Sequence, residues 1–484
     1  MRTKVKAKLL MVTGTASGAG KSTLTMALCN LLRESGYTVT PFKAINISLN
    51  SVVTPDGSEI SRAQWLQAIA CGVEPNYEIN PYLIKYEGNG RAQLIENGKS
   101  LGSMPHKDLS HYLEINARNN IRSAIKHLSD NNQVVVIEGA GSPAEINRSG
   151  EDYANTFILR EYSPVTILIT DIEQGGAFAS LYGTYLLMEN RGVLKWFVIN
   201  RMRGNPDVLN TGIEKLAELT GVPTLGVIPR IDEIRLPGED GNDYSNSGIF
   251  GTDVCIIKYP MMENLSEVDP LKAFGIGYNY VNKNNKNLLK LAKIIILPGS
   301  KDVFSDLKYL KDSGIDDILR ERAVSGVKIL GICGGYQMLS MEIESDLRNE
   351  EHGKVSGLGL LNVEFSYFPV KTLKRTNFTI YESNDDPKSQ GYEIHFGNVI
   401  KNSERALFHT DEGPEGSISK SGNVLGTNVH GCLESTAFIE YLLNIHIDKP
   451  YGERLAEEID RISEIIGHSI DLESLTGYLS PVKK

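Results

Sequence analysis

A cysteine set at the end of an apolar run and followed at once by two glycines leaves this chain very few architectures. In Leu330-Gly331-Ile332-Cys333-Gly334-Gly335-Tyr336-Gln337-Met338, the run Val327 to Ile332 reads as a buried strand and Tyr336 to Met341 as the start of a helix. A strand that turns sharply into a helix at a nucleophile is an elbow: it exposes the sulfur, its small neighbours admit a substrate carbonyl, and the helix N-terminus favours thiolate over thiol. A buried structural cysteine is the competing reading, because Cys is among the most buried residue types; the flanking glycines decide against it. A thiolate nucleophile also needs a base, and Gly426-Thr427-Asn428-Val429-His430-Gly431 ends another strand-like run with a histidine.

At 484 residues the chain is too long for one ordinary core, so two or three domains are expected. Hydrophobic and charged fractions of 41% and 23% are those of a soluble globular protein. The net charge of −10 argues against wholesale nucleic-acid or anionic-membrane binding. The five cysteines, at 29, 71, 255, 333 and 432, form neither CxxC pairs nor a disulfide framework, which predicts a reducing, cytoplasmic location. No apolar run reaches the roughly 18 residues that would span a bilayer. The basic start, Met1 to Lys6, leads into only a short apolar run and is not a signal peptide.

That short run, Leu9-Leu10-Met11-Val12, reads as a buried parallel strand, followed by Gly14-Thr15-Ala16-Ser17-Gly18-Ala19-Gly20-Lys21-Ser22-Thr23 and an amphipathic helix to about Glu34. Such a loop turns backbone N–H groups toward phosphate oxygens; Gly14, Thr15, Gly18, Gly20 and Thr23 form the cradle, Lys21 meets the outer phosphates, and Ser22 serves Mg²⁺. ATP and Mg²⁺ are the implied ligands. Val39 to Lys43 is a second strand, Asn46 to Gln67 is dense in polar groups, and His111 to Leu128 has helical apolar spacing. Gln133 to Glu138 is a strand ending in an acid, where open α/β sheets bind ligands, so Glu138 is a candidate second Mg²⁺ contact; an acid that merely ends its strand is the alternative. Val165 to Asp171 and Leu194 to Asn200 complete the rhythm of a doubly wound sheet.

Leu236 to Gly248 is polar, glycine-rich and almost free of apolar residues, and marks a boundary. Beyond it Val254 to Lys258, Ile294 to Leu297 and Val327 to Ile332 alternate with a largely helical Asp302 to Glu321, and then Val363 with Phe365, Phe378 to Tyr381 and Tyr392 to Ile394 suggest antiparallel additions to the sheet. The expected organisation is an ATP-binding domain over 1–240, a linker over 241–250, a second α/β domain over 251–447, and a charged, helix-prone tail over 448–484 without a motif.

The Cys333 elbow, with Ile296-Leu297-Pro298-Gly299-Ser300-Lys301 before it and Gly391-Tyr392-Glu393-Ile394-His395 and His430 after it, resembles the class I glutamine amidotransferase domain of the cobyric acid synthase family. The phosphate loop, one residue longer than the usual Gly-x-x-x-x-Gly-Lys-Ser, is similar to that of dethiobiotin synthetase and of the cobyric and cobyrinic acid amidases. Asn50 to Gln64 and Asn80 to Lys85 continue the likeness, which spans roughly Lys8 to Ile445. Most amidotransferases of this class carry a Glu two residues after the His; here that place is Cys432, which implies a Cys333/His430 dyad. The resemblance further implies Asn200 facing adenine, Asp152 near the acceptor carboxylate, and an oxyanion site of N–H groups near Gly299 and Gly334.

The implied reaction is ATP- and glutamine-dependent amidation of the b, d, e and g carboxylates of adenosylcobyrinic acid a,c-diamide. Its partners are glutamine, ATP and a corrinoid carboxylic acid, with no nucleic acid and no membrane. The chain departs from the family pattern at Ile45-Asn46, at Glu173-Gln174-Gly175-Gly176 and over Met261 to Asp269. These departures bear on which acceptor is used. Two other readings therefore stand: an amidase acting on another tetrapyrrole carboxylate, and a non-catalytic ATP-dependent switch with the same longer loop.

Overall fold

The apolar runs assemble into two separate six-stranded sheets, one in each of two units. The computed structural model describes residues 5–88, 90–147, 151–238, 253–344, 353–381 and 388–479. The expected linker, 241–250, lies outside them. One unit comprises Met1–Ser48, Thr54–Ile234 and Ala456–Lys484, and the other Leu49–Val53 and Arg235–Leu455.

In the first unit the strands run in the order Thr224–Pro229, Leu194–Met202, Val165–Asp171, Lys8–Gly14, Val134–Glu138 and Val39–Phe42, all neighbours parallel. Val134 to Ile137 and Ile167 to Ile169 are fully buried, as expected of a sheet covered on both faces. The phosphate-loop strand lies between Val134–Glu138 and Val165–Asp171, where the strand order reverses. Open sheets bind ligands at such a crevice. A second sheet of four strands, Ile45–Ile47, Tyr82–Gly88, Arg91–Glu96 and Lys99–Pro105, is inserted before the long helix His106–Asn131.

The second unit carries the order Tyr278–Val281, Val254–Ile257, Ile294–Leu297, Lys328–Ile332, Val424–Thr427 and Ser417–Ile418, parallel except for the last pair. Alternation sorts its strands into two cores: Cys255, Ile257, Ile295, Leu297 and Ile329 in one, and Val254, Ile256, Ile294, Ile296, Leu330 and Ile332 in the other. The expected antiparallel additions form a sheet of their own instead. Val363–Ile380 and Ser389–Asn402 are long strands paired antiparallel, and Val429–His430 joins their edge. Among the described residues only Ser417–Ile418 extends the parallel sheet with antiparallel pairing.

The tail has a structural task. Leu455, Ile459, Ile462 and Ile466 are buried at helical spacing along Tyr451–Ser469, each such burial stabilising by about 1.5–3 kcal/mol. In the first unit Asn30 Nδ2 donates to Asp460 Oδ1 at 3.1 Å, and Gly226 bridges to Ile470. Among the described residues no helix is long and apolar enough to cross a membrane.

Candidate active site

Cys333 sits between the strand Lys328–Ile332 and the helix Gly334–Leu339 with φ 51° and ψ −109°. A non-glycine residue rarely occupies that region, and such strain gathers at functional positions. The neighbouring glycines make the turn possible: a Cβ on Gly335 would fall 1.9 Å from Leu297 O, and one on Gly334 2.6 Å from Ser300 N. The sulfur lies 3.8 Å from Ile394 O. Of the expected oxyanion pair, Gly299 follows the strand Ile294–Leu297 and Gly334 opens the helix after Cys333; the Gly299 carbonyl accepts from Glu263 N at 3.0 Å.

His430 is fully buried and paired in register with Tyr392, whose ring stacks on it at 5.3 Å and 12°. Its Nδ1 lies 2.9 Å from Glu267 Oε2, and Gly431 N donates to the other oxygen at 2.8 Å. Nδ1 being taken by Glu267, Nε2 is the nitrogen left for Cys333, whose hydrogen bond and charge both act on the ring. Burial opposes the charged imidazolium, but the charge of Cys333 and the Glu267 carboxylate outweigh it and raise the pKa well above the ordinary value. The acid on Nδ1 is thus remote in sequence, not two residues after the histidine. Cys432 is buried, its thiol pushed well up by burial first and then by Glu267 and Glu415. Glu267 lies in the Leu265–Val268 turn, inside the block read as a departure bearing on the acceptor. That block belongs to the cysteine site: Met262 bridges to Ser300, and Met261 N donates to Asp306 Oδ1. Asp306 accepts from Ser300 Oγ at 2.6 Å, and burial raises its carboxyl to about 6.

A second unexpected contribution comes from Leu49–Val53, which groups with this unit. Ser51 N donates to Asn264 Oδ1 at 3.2 Å, Ser266 N to Asn50 Oδ1 at 3.3 Å, and Tyr392 OH to Ser51 O at 3.1 Å. On the strand carrying Tyr392, His395 Nε2 and Glu393 Oε2 pair at 3.1 Å. Burial pushes the Glu393 carboxyl up, but His395 and Lys374 prevail and hold it low.

In the first unit the loop residues Gly14 to Thr23 fall where expected. Gly18 and Gly20 have φ of 74° and 101°, values that favour glycine. Thr15 Oγ1 meets Thr170 Oγ1 at 2.9 Å, and Lys21 Nζ donates to Ala16 O at 2.9 Å. Asn200 Nδ2 donates to Ala19 O at 3.0 Å, so it is seated against the loop. Ser22 Oγ donates to Glu138 Oε1 at 2.8 Å, which brings the two expected Mg²⁺ contacts together. Glu138 is wholly buried and also receives Lys43 Nζ at 2.7 Å and Gln67 Nε2 at 2.5 Å. Asp152 is buried and accepts from Ala154 N, Asn155 N and Asn155 Nδ2, while Asn155 Oδ1 takes the Thr13 hydroxyl. Asp152 thus fixes a turn beside the end of the phosphate-loop strand. Lys43 and Gln67 were missed by sequence reasoning: Lys43 follows a buried strand and Gln67 ends a polar stretch, and neither spacing carries a chemical signature.

A family model described as the CobB/CobQ-like glutamine amidotransferase domain matches residues 253–438. Another, described as the CobQ/CobB/MinD/ParA nucleotide binding domain, matches residues 10–242. A probable cobyric acid synthase of Picrophilus torridus is 45% identical over 481 residues, covering 98% of this chain and 99% of that protein. A probable cobyric acid synthase of Thermoplasma acidophilum is 43% identical over 475 residues, covering 98% and 99%. A cobyric acid synthase of Dehalococcoides mccartyi is 36% identical over 501 residues, with the same shares.

Proposed function

Because the chain belongs to the cobyric acid synthase family, we propose that it amidates the b, d, e and g carboxylates of adenosylcobyrinic acid a,c-diamide to give adenosylcobyric acid. It is a glutamine-dependent amide-forming synthetase of cobalamin biosynthesis, with a nucleotide-binding domain that implies ATP use. The acceptor reading rests on the full-length relatives, and the two-step chemistry is supported by the strained Cys333 in one unit and the Ser22–Glu138 contact under the phosphate loop in the other.

In the glutaminase reaction the Cys333 thiolate adds to the side-chain amide carbon of glutamine, and the N–H groups of the Gly299–Ser300 and Gly334 loops hold the oxyanion. The His430 imidazolium gives its proton to the leaving nitrogen, ammonia departs, and a glutamyl thioester remains. Water, deprotonated by His430, releases glutamate and restores the thiol. In the synthetase reaction an acceptor carboxylate oxygen attacks the γ-phosphorus of ATP, ADP leaves, and an acyl phosphate forms. Ammonia then displaces phosphate to give the amide. The loop amides and Lys21 cradle the phosphates, Asn200 faces the adenine, and Asp152 places the acceptor carboxylate. Mg²⁺ suits the pair Ser22 and Glu138, a hydroxyl and a carboxylate oxygen 2.8 Å apart, since it takes oxygen ligands; when bound it neutralises phosphate charge. Five unbridged cysteines support a reducing cytoplasm as the working compartment.

The test is a time course of adenosylcobyrinic acid a,c-diamide with ATP and glutamine, read by mass spectrometry. Stepwise exchanges of NH for O should accumulate up to the fourth, with partial products free in solution. An untouched acceptor, alongside amidation of another tetrapyrrole acid, would transfer the assignment to that acid and point to the departures at Ile45, Gln174 and Met261 to Asp269.

A further inference from the structure

We propose that Glu267 is a positioning residue of the glutaminase, orienting His430 through Nδ1, and that Asn50 and Ser51 hold the turn on which Glu267 rides. The proposal rests on the Cys333/His430 reading above.

Three features of Glu267 suit that task. Both carboxylate oxygens are engaged, one by His430 Nδ1 at 2.9 Å and one by Gly431 N at 2.8 Å. The acid therefore fixes the ring and the backbone that carries it. An acceptor on Nδ1 selects the tautomer that leaves Nε2 facing the sulfur, and it stabilises the imidazolium once a proton arrives. Finally, the side chains of Glu267 and His430 are 2% and 1% exposed, so water does not compete for the bond. Cys432 occupies the position two residues after His430, is buried, and carries no ionised oxygen to do the same work.

The Glu267 turn is closed by its own backbone, Glu267 N donating to Asn264 O at 2.9 Å, but its side-chain support comes from outside it. Asn264, which opens it, is in the left-handed region at φ 53° and makes no cap to the turn with its own side chain. That side chain instead accepts from Ser51 N, while Asn50 Oδ1 accepts from Ser266 N, the residue before Glu267. Ser51 O takes the hydroxyl of Tyr392, whose ring lies flat on His430. Two residues from the N-terminal part of the chain thus grip both the acid's turn and the ring's stacking partner. Just before and after them in sequence, Asn46 Nδ2 donates to Gln64 Oε1 at 2.8 Å, and Gln67 Nε2 donates to Glu138 Oε2 at 2.5 Å.

The experiment uses the full-length protein and compares glutaminase kcat/KM against pH for the parent, Glu267→Gln, Glu267→Asp and Asn264→Gly, with Cys333→Ser as the zero. Glu267→Gln should lose about 10²- to 10⁴-fold, the span of a general acid–base contribution. Its alkaline limb should move to lower pH, because the imidazolium loses a partner that raised its pKa. Glu267→Asp should recover part of the rate and part of the shift. Asn264→Gly tolerates the left-handed backbone but removes the acceptor for Ser51 N, and should lower kcat with a smaller shift in the same direction. Amidation driven by ammonium salts should persist in all of them and reports that each variant is folded. A Glu267→Gln rate within about threefold of the parent, or a drop in amplitude with no movement of the limb, overturns the proposal. A parent activity that survives Cys333→Ser overturns the underlying reading instead. Should Glu267→Gln fail to fold, Glu267→Asp decides alone: an unshifted profile at parental rate refutes the role.

Discussion

The phosphate loop of the first unit is made from consecutive residues, Gly14 to Thr23, whereas the cysteine site of the second joins His430 to an acid 163 residues away. The difference follows from which atoms do the work. A phosphate cradle is chiefly backbone N–H, so its specification is a conformation, and a local run of glycines, one lysine and one serine writes it. A thiolate with its base is a set of side chains, and a fold can gather side chains from any strand end. The first kind of site is damaged by changing a turn; the second by changing distant residues one at a time.

The largest expected effect is on nitrogen source. Cys333→Ser should abolish glutamine-dependent amidation while leaving synthesis from ammonium salts near the parental rate, because only the ammonia supply is lost. Equal loss of both activities in a folded variant would erase the division between the two regions. Lys21→Ala should remove amidation from either source, since no acyl phosphate forms; ammonium-driven turnover in that variant would show that the loop is not the phosphoryl-transfer site. Both are read by amide product against time.

Backbone changes sharpen the contrast. Gly335→Ala drives a methyl to within 1.9 Å of Leu297 O, so the elbow must move; a loss of glutaminase and a destabilisation of about 1–3 kcal/mol, the cost of overpacking, are expected by denaturant titration. Gly18→Ala has open space around its Cβ but a φ of 74°, and should cost about 1–2 kcal/mol through conformation alone. Its effect should appear in the KM for ATP and not in glutaminase.

A further effect is on stability against pH. His430 has its folded pKa raised above its ordinary 6.5. A group of that kind contributes its full stabilisation below 6.5 and loses it as pH rises through the folded value. The parent should therefore lose stability relative to His430→Gln as pH climbs above 6.5, by an amount on the order of 1 kcal/mol per pKa unit. Parallel curves for the two proteins would show that the ion pair is not formed in the folded protein.

Much of this was legible from residues. The elbow, the phosphate loop and the parallel strands follow from apolar runs bounded by glycine, and the structure meets Cys333, Lys21 and Glu138 where those runs end. Glu267 was not legible, because no spacing relates it to His430 and its neighbours Leu265 and Val268 read as an irregular block. Asn50 and Ser51 were misplaced for a related reason: a polar run announces that it binds something but not which sheet it joins. The tail carried a clearer signal, since Leu455, Ile459, Ile462 and Ile466 form a helical stripe that charge content alone had hidden.

That the first unit is closed by Ala456–Lys484 fixes an order of manufacture. A ribosome delivers the phosphate-loop strand before the second unit, yet the helix that buries Ile459 and Ile462 only after it. During synthesis the second unit has all of its residues, including Leu49–Val53, before the unit that began the chain is complete. Cys333 and His430 are therefore synthesised before the segment that completes the fold around the phosphate loop.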